Sequence, residues 1–258
     1  MSKSPGQPSH DAHVVGQFGP QAQSYVSSAV HAAGEDLDRI EALAAQHHPT
    51  RALDLGCGGG HVAYRIALHC AATTASDLSD EMLAAVSAEA TRRGLAVETI
   101  WAPAEALPFA AGHFNFVACR YSAHHWREFE HGITEARRVL QHGAPAVFVD
   151  SVSPARGPLD THLQAIELLR DTSHAANRTV AEWIAAFERA DFAVTGLATG
   201  RVRMDFADWT ARMQTPPERI AAIRALQQAA SHEVATHYAI GRDGSFMLDR
   251  VLIEASAR

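Results

Sequence analysis

The segment Arg51-Ala-Leu-Asp-Leu-Gly-Cys-Gly-Gly-Gly-His61 limits what this chain can fold into more than any other. A short apolar run closes on an acid, Asp54, and glycines follow at 56, 58, 59 and 60 before a helical pattern opens at His61. Strand, acid, glycine turn and helix is the layout of a nucleotide-type cofactor site at the carboxyl end of a parallel strand. Glycine suits such a turn because it reaches positive φ and lets a ligand lie against the backbone. The loop alone does not choose the cofactor: a dinucleotide fingerprint reads G-x-G-x-x-G, whereas the spacing here is Gly56-x-Gly58-x-Gly60. A second acid, Asp77, closes the next apolar run and is placed to accept the two hydroxyls of a ribose.

The pattern around this loop predicts an α/β fold with a doubly wound, mostly parallel sheet. Strands are expected over 51–55, 73–77, 96–100, 114–119 and 145–150, with helices over 61–70, 80–93 and 129–140 between them. Ser79 reads as the N-cap of the second of these helices and Gly94 as its stop. Right-handed crossovers then bring Gly56–Gly60, Asp77 and the loop after Cys119 to one edge of the sheet. Two further helices are expected before the first strand, over 20–33 and 35–46, broken at Gly34. Beyond Asp150 the rhythm changes. Helices over 159–172, 180–190, 208–213 and 218–232 surround strands at 192–202 and 246–254, and the long connections suggest a cap, about 151–190 and 203–240. Residues 1–15, with Pro5, Gly6 and Pro8, read as a flexible tail, and 16–258 as one domain.

With 258 residues and 47% hydrophobic content the chain can bury a sizeable core. Its formal charge of −7 and the absence of a Lys/Arg run disfavour a nucleic-acid partner. Cys57, Cys70 and Cys119 form no C-x-x-C pair, so no metal site is expected and a reducing compartment fits. No apolar leader and no run of 18 apolar residues occurs, so a cytoplasmic protein without a membrane partner is expected, as monomer or homodimer.

With these residues placed, the chain resembles the class I S-adenosylmethionine (SAM)-dependent methyltransferases, and within them the UbiE-like (methyltransferase type 11) branch. Leu53-Asp-Leu-Gly-Cys-Gly-Gly-Gly60, Asp77-Leu-Ser-Asp-Glu-Met-Leu83, Ala104-Glu-Ala-Leu-Pro-Phe109, Phe114-Asn-Phe-Val117 and Arg138-Val-Leu-Gln-His-Gly143 match its landmarks in order. The resemblance implies a seven-stranded Rossmann-like methyltransferase fold whose last strand, here 246–254, is antiparallel. It implies that Asp54 orients the glycine loop or meets the SAM amino group, and that Gly56, Gly58 and Gly60, with Cys57 as a small filler, shape the methionine site. By the same resemblance Asp77 holds the ribose, and Leu78 and Met82 sandwich the adenine, although a helix-core role also explains Met82. Ala104 offers its backbone N–H, Glu105 supports that loop, Arg120 and Tyr121 begin the loop beside the sulfonium, and Tyr25 touches the methionine end. Two positions depart from the family: Pro103 replaces an acid before the Ala-Glu pair, and Asn115 stands where Asp is usual.

The transfer step needs alignment and, for a phenol, hydroxyl or acidic carbon, a base. Tyr121-Ser-Ala-His-His-Trp126 follows the fourth strand, so His124 and His125 are the first candidates, each with a backbone-bonded loop role as the alternative. His174, in the expected cap, is a third. Trp209, Met213 and Tyr238 line an apolar acceptor pocket or simply pack the core. The expected activity is methyl transfer from SAM to a small, cyclic or aromatic molecule at O, C or N, leaving S-adenosylhomocysteine. Alternatives are a SAM-binding protein without catalysis, which predicts a closed or missing acceptor cavity, and a NAD-linked oxidoreductase.

Overall fold

The computed structural model describes residues 8–26 and 32–258. Five parallel strands, β1 (Arg51–Leu55), β2 (Ala72–Asp77), β3 (Val97–Trp101), β4 (Phe116–Arg120) and β5 (Pro145–Ser151), form one sheet with β6 (Phe192–Met204) and β7 (Phe246–Ala257). The order is β3-β2-β1-β4-β5-β7-β6, and β7 runs antiparallel to both neighbours. The order reverses between β1 and β4, the crevice in which such sheets take ligands. The expected α/β architecture is the observed one.

Both faces of the sheet are covered, which is why its central strands are apolar without alternation. On one face Leu37, Ile40 and Leu43 of α3 (Glu35–His47) and Val62 and Ile66 of α4 (His61–Ile66) pack on Ala52, Phe116 and Val147. On the other, Ile133 and Ala136 of α6 (Phe129–Val139) and Trp183 and Phe187 of α8 (Val180–Arg189) cover Leu53, Val117 and Phe148. Helix α5 (Asp80–Arg93) lies near the β3 edge; Ser79 caps it by accepting from Met82 N at 3.1 Å, and Gly94 ends it at φ 69°.

A separate core forms where α7 (Gly157–Arg170), α9 (Phe206–Arg212), α10 (Pro217–Gln228) and α11 (His232–His237) meet the outer ends of β6 and β7. Leu159, Leu163, Ile166, Trp209, Ile223 and Tyr238 fill it. This is the cap, and its extent corrects the sequence expectation of 151–190. Helix α8 belongs to the sheet layer, since Trp183, Ala186 and Phe187 point into the main core. The helix expected over 218–232 is α10, which ends at Gln228, and a further helix, α11, follows it, opened by Ser231 accepting from Val234 N.

The N-terminal expectation also changes. Residues 10–15, read as part of a loose tail, lie in α1 (His10–Phe18), capped by Ser9. None of its residues is buried; it is held by three long-range bonds, from His10 Nε2 to the His125 carbonyl (2.7 Å), between His13 Nε2 and Thr172 Oγ1 (2.8 Å) and from Gln17 Nε2 to the Met213 carbonyl (3.3 Å). The helix expected over 20–33 is a short 3₁₀ turn, Gly19–Gln21, followed by α2 (Ala22–Val26); residues 27–31 of that expectation lie outside the described residues, as do residues 1–7 of the tail.

Candidate active site

The glycine loop and the acids beside it build a cleft at the carboxyl ends of β1 and β2. Asp54 ends buried, and its Oδ2 accepts from Ala63 N at 2.9 Å in the first turn of α4. It therefore fastens the loop to the helix and does not line the cleft. Burial pushes its carboxyl up to about 7, against the opposing Ala63 hydrogen bond. Gly60, the N-cap of α4 at φ 76°, and Cys57, buried in the α5 side of the core, also shape the loop from outside the cleft. Gly56 and Gly58 line it, both at positive φ. A side chain at Gly56 would collide with Ser122, while the space beside Gly58 is open.

Asp77 lies between the loop and α5. Its two oxygens accept from Gly58 N (2.9 Å) and Ser79 N (3.1 Å), and burial raises its carboxyl pKa despite those bonds. Leu78, Met82, Ala102 and Ala104 give the cleft an apolar slot, and Glu105 closes it while accepting from Glu128 N at 3.1 Å. The open side is roofed by Asp11, Val14, Val15 and Phe18 of α1. An acid at the end of β2, an apolar slot beside it and a loop with no side chain on one wall fit SAM: a ribose, an adenine and an extended methionine. Pro103 does not line the cleft, and Asn115 is at the opposite end of the sheet, where its Oδ1 accepts from Arg51 N (2.9 Å).

A second cavity, with an empty volume of about 1190 Å³ including its mouth, lies under the cap. Phe18, Tyr25 and His125 line both spaces and form the wall between them. Their rings pack edge to face, Phe18 at 5.6 Å from Tyr25 and 5.0 Å from His125. Arg120 and Tyr121, expected beside the cofactor, line this second space instead, because Arg120 is drawn to Asp36 at 2.6 Å. Trp209 lines it too, whereas Met213 is buried where Tyr25 Oη meets its sulfur at 3.2 Å, and Tyr238 is buried in the cap core with its hydroxyl on the Leu159 carbonyl.

The three histidine candidates come together but differ in chemistry. His124 Nδ1 lies 2.6 Å from Oδ1 of Asp150, the acid that ends within β5, and the other carboxylate oxygen accepts from His124 N. A carboxylate only accepts, so Nδ1 carries the proton and Nε2 holds the lone pair. Nε2 has no hydrogen-bond partner among the described residues. Burial opposes protonation of His124, but Asp150 outweighs it and raises the pKa above the ordinary 6.5. For His125, burial first and the neighbouring His124 second lower the pKa; its Nδ1 meets the Ser173 carbonyl at 3.2 Å. His174 is held down to about 2, by burial and then by His124, His125 and Arg170, and its Nε2 bonds Gln164. Only His124 thus has a carboxylate-oriented ring, a basic nitrogen and a place on the second cavity.

Sequence reasoning missed Asp150, Glu167, Arg170 and Arg212. Asp150 had a signal, since it closes an apolar run as Asp54 and Asp77 do. Arg170 and Arg212 had none, because their meeting depends on how α7 and α9 fold back.

The comparisons agree with this geometry. Residues 53–148 match the methyltransferase domain family. The uncharacterized protein YafE of Escherichia coli (strain K12) is 38% identical over 78% of this chain and 97% of its own length. The uncharacterized methyltransferase YcgJ of Bacillus subtilis (strain 168) is 30% identical over 93% of this chain and 98% of its own. The crystal structure of YcgJ covers 86% of this chain and 99% of its own with a TM-score of 0.81. A demethylmenaquinone methyltransferase from Thermus thermophilus is 32% identical over 45% of this chain and 53% of its own length. Seven strands in methyltransferase order, a glycine loop braced by Asp54, a cleft that fits SAM and full-length relatives together show that the chain belongs to the class I SAM-dependent methyltransferases, with SAM as its cofactor.

Proposed function

We propose that the protein methylates a small organic acceptor, cyclic or aromatic, at oxygen, carbon or nitrogen. The observation that carries this is the shared wall: Phe18, Tyr25 and His125 separate the cofactor cleft from a second cavity lined by His124, whose ring the buried Asp150 orients. Asp77 takes the ribose hydroxyls, Leu78 and Met82 flank the adenine, and Gly56 and Gly58 leave the methionine end its room. SAM supplies an electrophilic methyl group. His124 Nε2 takes the proton the acceptor releases, and Asp150 fixes the tautomer and stabilises the imidazolium that results. The α1 strap and the wall aromatics exclude water from the transfer path.

A roomy second cavity argues against a non-catalytic SAM binder, which predicts none. The likeness to a demethylmenaquinone methyltransferase favours the UbiE-like branch and a ring-bearing acceptor. Free Cys57, Cys70 and Cys119 suit a reducing compartment, and we place the reaction in the cytoplasm. Methyl-labelled SAM incubated with the enzyme and fractionated metabolite extracts tests the reading. Label in a small molecule is expected; label in no fraction, or only in macromolecules, contradicts it.

A further inference from the structure

The second cavity carries a charge imbalance that methyl transfer alone does not explain. Six guanidiniums line it, those of Arg120, Arg170, Arg201, Arg203, Arg212 and Arg250, against three carboxylates, Glu35, Asp36 and Glu167. The excess runs against a chain whose formal charge is −7. Four of the six have carboxylate partners that hold them at the walls: Arg120 with Asp36 (2.6 Å), Arg201 with Asp249 (3.1 Å), Arg250 with Glu35 (3.5 Å) and Arg203 with Asp243 (3.9 Å).

Arg170 and Arg212 differ. Arg170 gives its Nε to the Trp209 carbonyl at 2.9 Å, stacks at 5.0 Å over the Trp209 ring, and reaches Glu167 only at 3.7 Å. Burial holds the Glu167 carboxyl above its ordinary pKa, which weakens it as a counter-charge. Arg212 has a buried Nε with no hydrogen-bond partner, and burial and then Arg170 disfavour its charge. None of residues 1–7 and 27–31 is Asp or Glu, so no carboxylate side chain from those segments completes the pair. A partly buried cation with an orphaned donor beside a second cation is costly unless an anion completes it. The guanidinium fork matches the oxygens of a carboxylate or phosphate.

We propose that the methyl acceptor is itself an anion, a small molecule whose carboxylate or phosphate docks on Arg170 and Arg212 while its reacting atom reaches the Phe18–Tyr25–His125 wall beside His124. The inference rests on the methyltransferase reading of this cavity and adds the acceptor's charge. The oxyanion is a handle rather than the methylated atom, because the base lies on His124 and the fork on α7 and α9.

Binding to the S-adenosylhomocysteine-loaded protein tests it, with benzoate and inorganic phosphate as probes and benzamide as the neutral counterpart. Calorimetry or ligand-observed NMR is expected to show binding of at least one anion, with benzamide weaker by about tenfold or more. Benzoate alone points to a carboxylic acid and phosphate alone to a phosphate ester. In Arg212→Gln anion binding is expected to fall about tenfold or more while S-adenosylhomocysteine affinity stays within about twofold. Val202→Glu, which adds a carboxylate to the same lining and leaves both arginines, is expected to weaken anion but not benzamide binding, and serves if Arg212→Gln does not fold. Failure of the wild type to bind S-adenosylhomocysteine would sink the methyltransferase reading as well. Normal S-adenosylhomocysteine binding with no anion bound, with benzamide bound equally, or with anion affinity untouched by these substitutions overturns this inference alone.

Discussion

The cleft beside the glycine loop and the second cavity, which we read as cofactor and acceptor sites, share one wall and are built on different physics. The cleft is a product of the sheet: its loop, Asp77 and Leu78 sit at strand ends, and the acids that build it are satisfied locally, Asp54 behind the loop by Ala63 N and Asp77 by Gly58 N and Ser79 N. The cavity is assembled from distant pieces: β5 supplies Asp150, the loop after β4 supplies His124, and the cap supplies Arg170 and Arg212. Of its lining groups Arg212 Nε is left without a partner, and outside the lining so are His174 Nδ1 and Asp171 Oδ2 of the segment after α7. A pocket for an invariant ligand can be finished in the fold, whereas one that recognises an acceptor keeps buried donors and acceptors in reserve for it.

The contrast extends to pH. His174, down at about 2, stays neutral in the folded protein while the unfolded chain protonates near 6.5, so it costs stability as pH falls below 6.5. Asp54, up at about 7, stays protonated in the folded protein while the unfolded chain ionises from about 3.8, so it costs stability as pH rises through that window. Relative to wild type, His174→Gln should therefore gain about 1.4 kcal/mol for each pH unit below 6.5, several kcal/mol by pH 4. Asp54→Asn, which keeps an acceptor for Ala63, should gain at about the same slope between pH 4 and 7. Denaturant melts across pH 4–8 check both, and slopes of the same sign would erase the distinction.

Next in size, Asp150→Asn should lower kcat about 100-fold while leaving S-adenosylhomocysteine affinity unchanged, since it disturbs only the acceptor side. In the wild type, activity should fall with acid as His124 is protonated, with a midpoint above 6.5, and in the variant that midpoint should move down. Steady-state rates over pH 5–9 decide it; loss of cofactor affinity in Asp150→Asn would show that the two regions are not separable. Smaller still is Gly59→Ala. A Cβ there would stand 2.6 Å from the Tyr25 carbonyl, so α2 must shift, at a cost of about 2 kcal/mol. Because Tyr25 belongs to the shared wall, this variant should impair both sites, measured as joint loss of Tm, cofactor affinity and rate.

What the sequence disclosed follows the same division. Strand ends carrying Asp54, Gly56, Gly58 and Asp77 are local patterns, and β1 and α5 fall where the periodicity puts them. Boundaries slipped where tertiary contacts decide: β6 extends to Met204 against the cap core, and β7 runs on to Ala257, whose Ala255 and Ala257 enter the main core. Helix α1 was hidden because it buries no residue of its own, and its two histidine bonds reach residues 115 and 159 positions away. His124 was legible as a histidine after β4, but its distinction from His125 and His174 rests on Asp150, and only the folded register of β4 against β5 brings that acid to it. The arginine pair was silent for the same reason.

The most direct test of the central claim is calorimetric titration with S-adenosylhomocysteine of the wild type, Asp77→Ala and Asp150→Asn side by side. The account predicts tight binding in the wild type and in Asp150→Asn, and a loss of about 100-fold or more in Asp77→Ala, where a charged acceptor of hydrogen bonds is removed. Undiminished binding in Asp77→Ala, or none in the wild type, would contradict the assignment of the cofactor to this cleft.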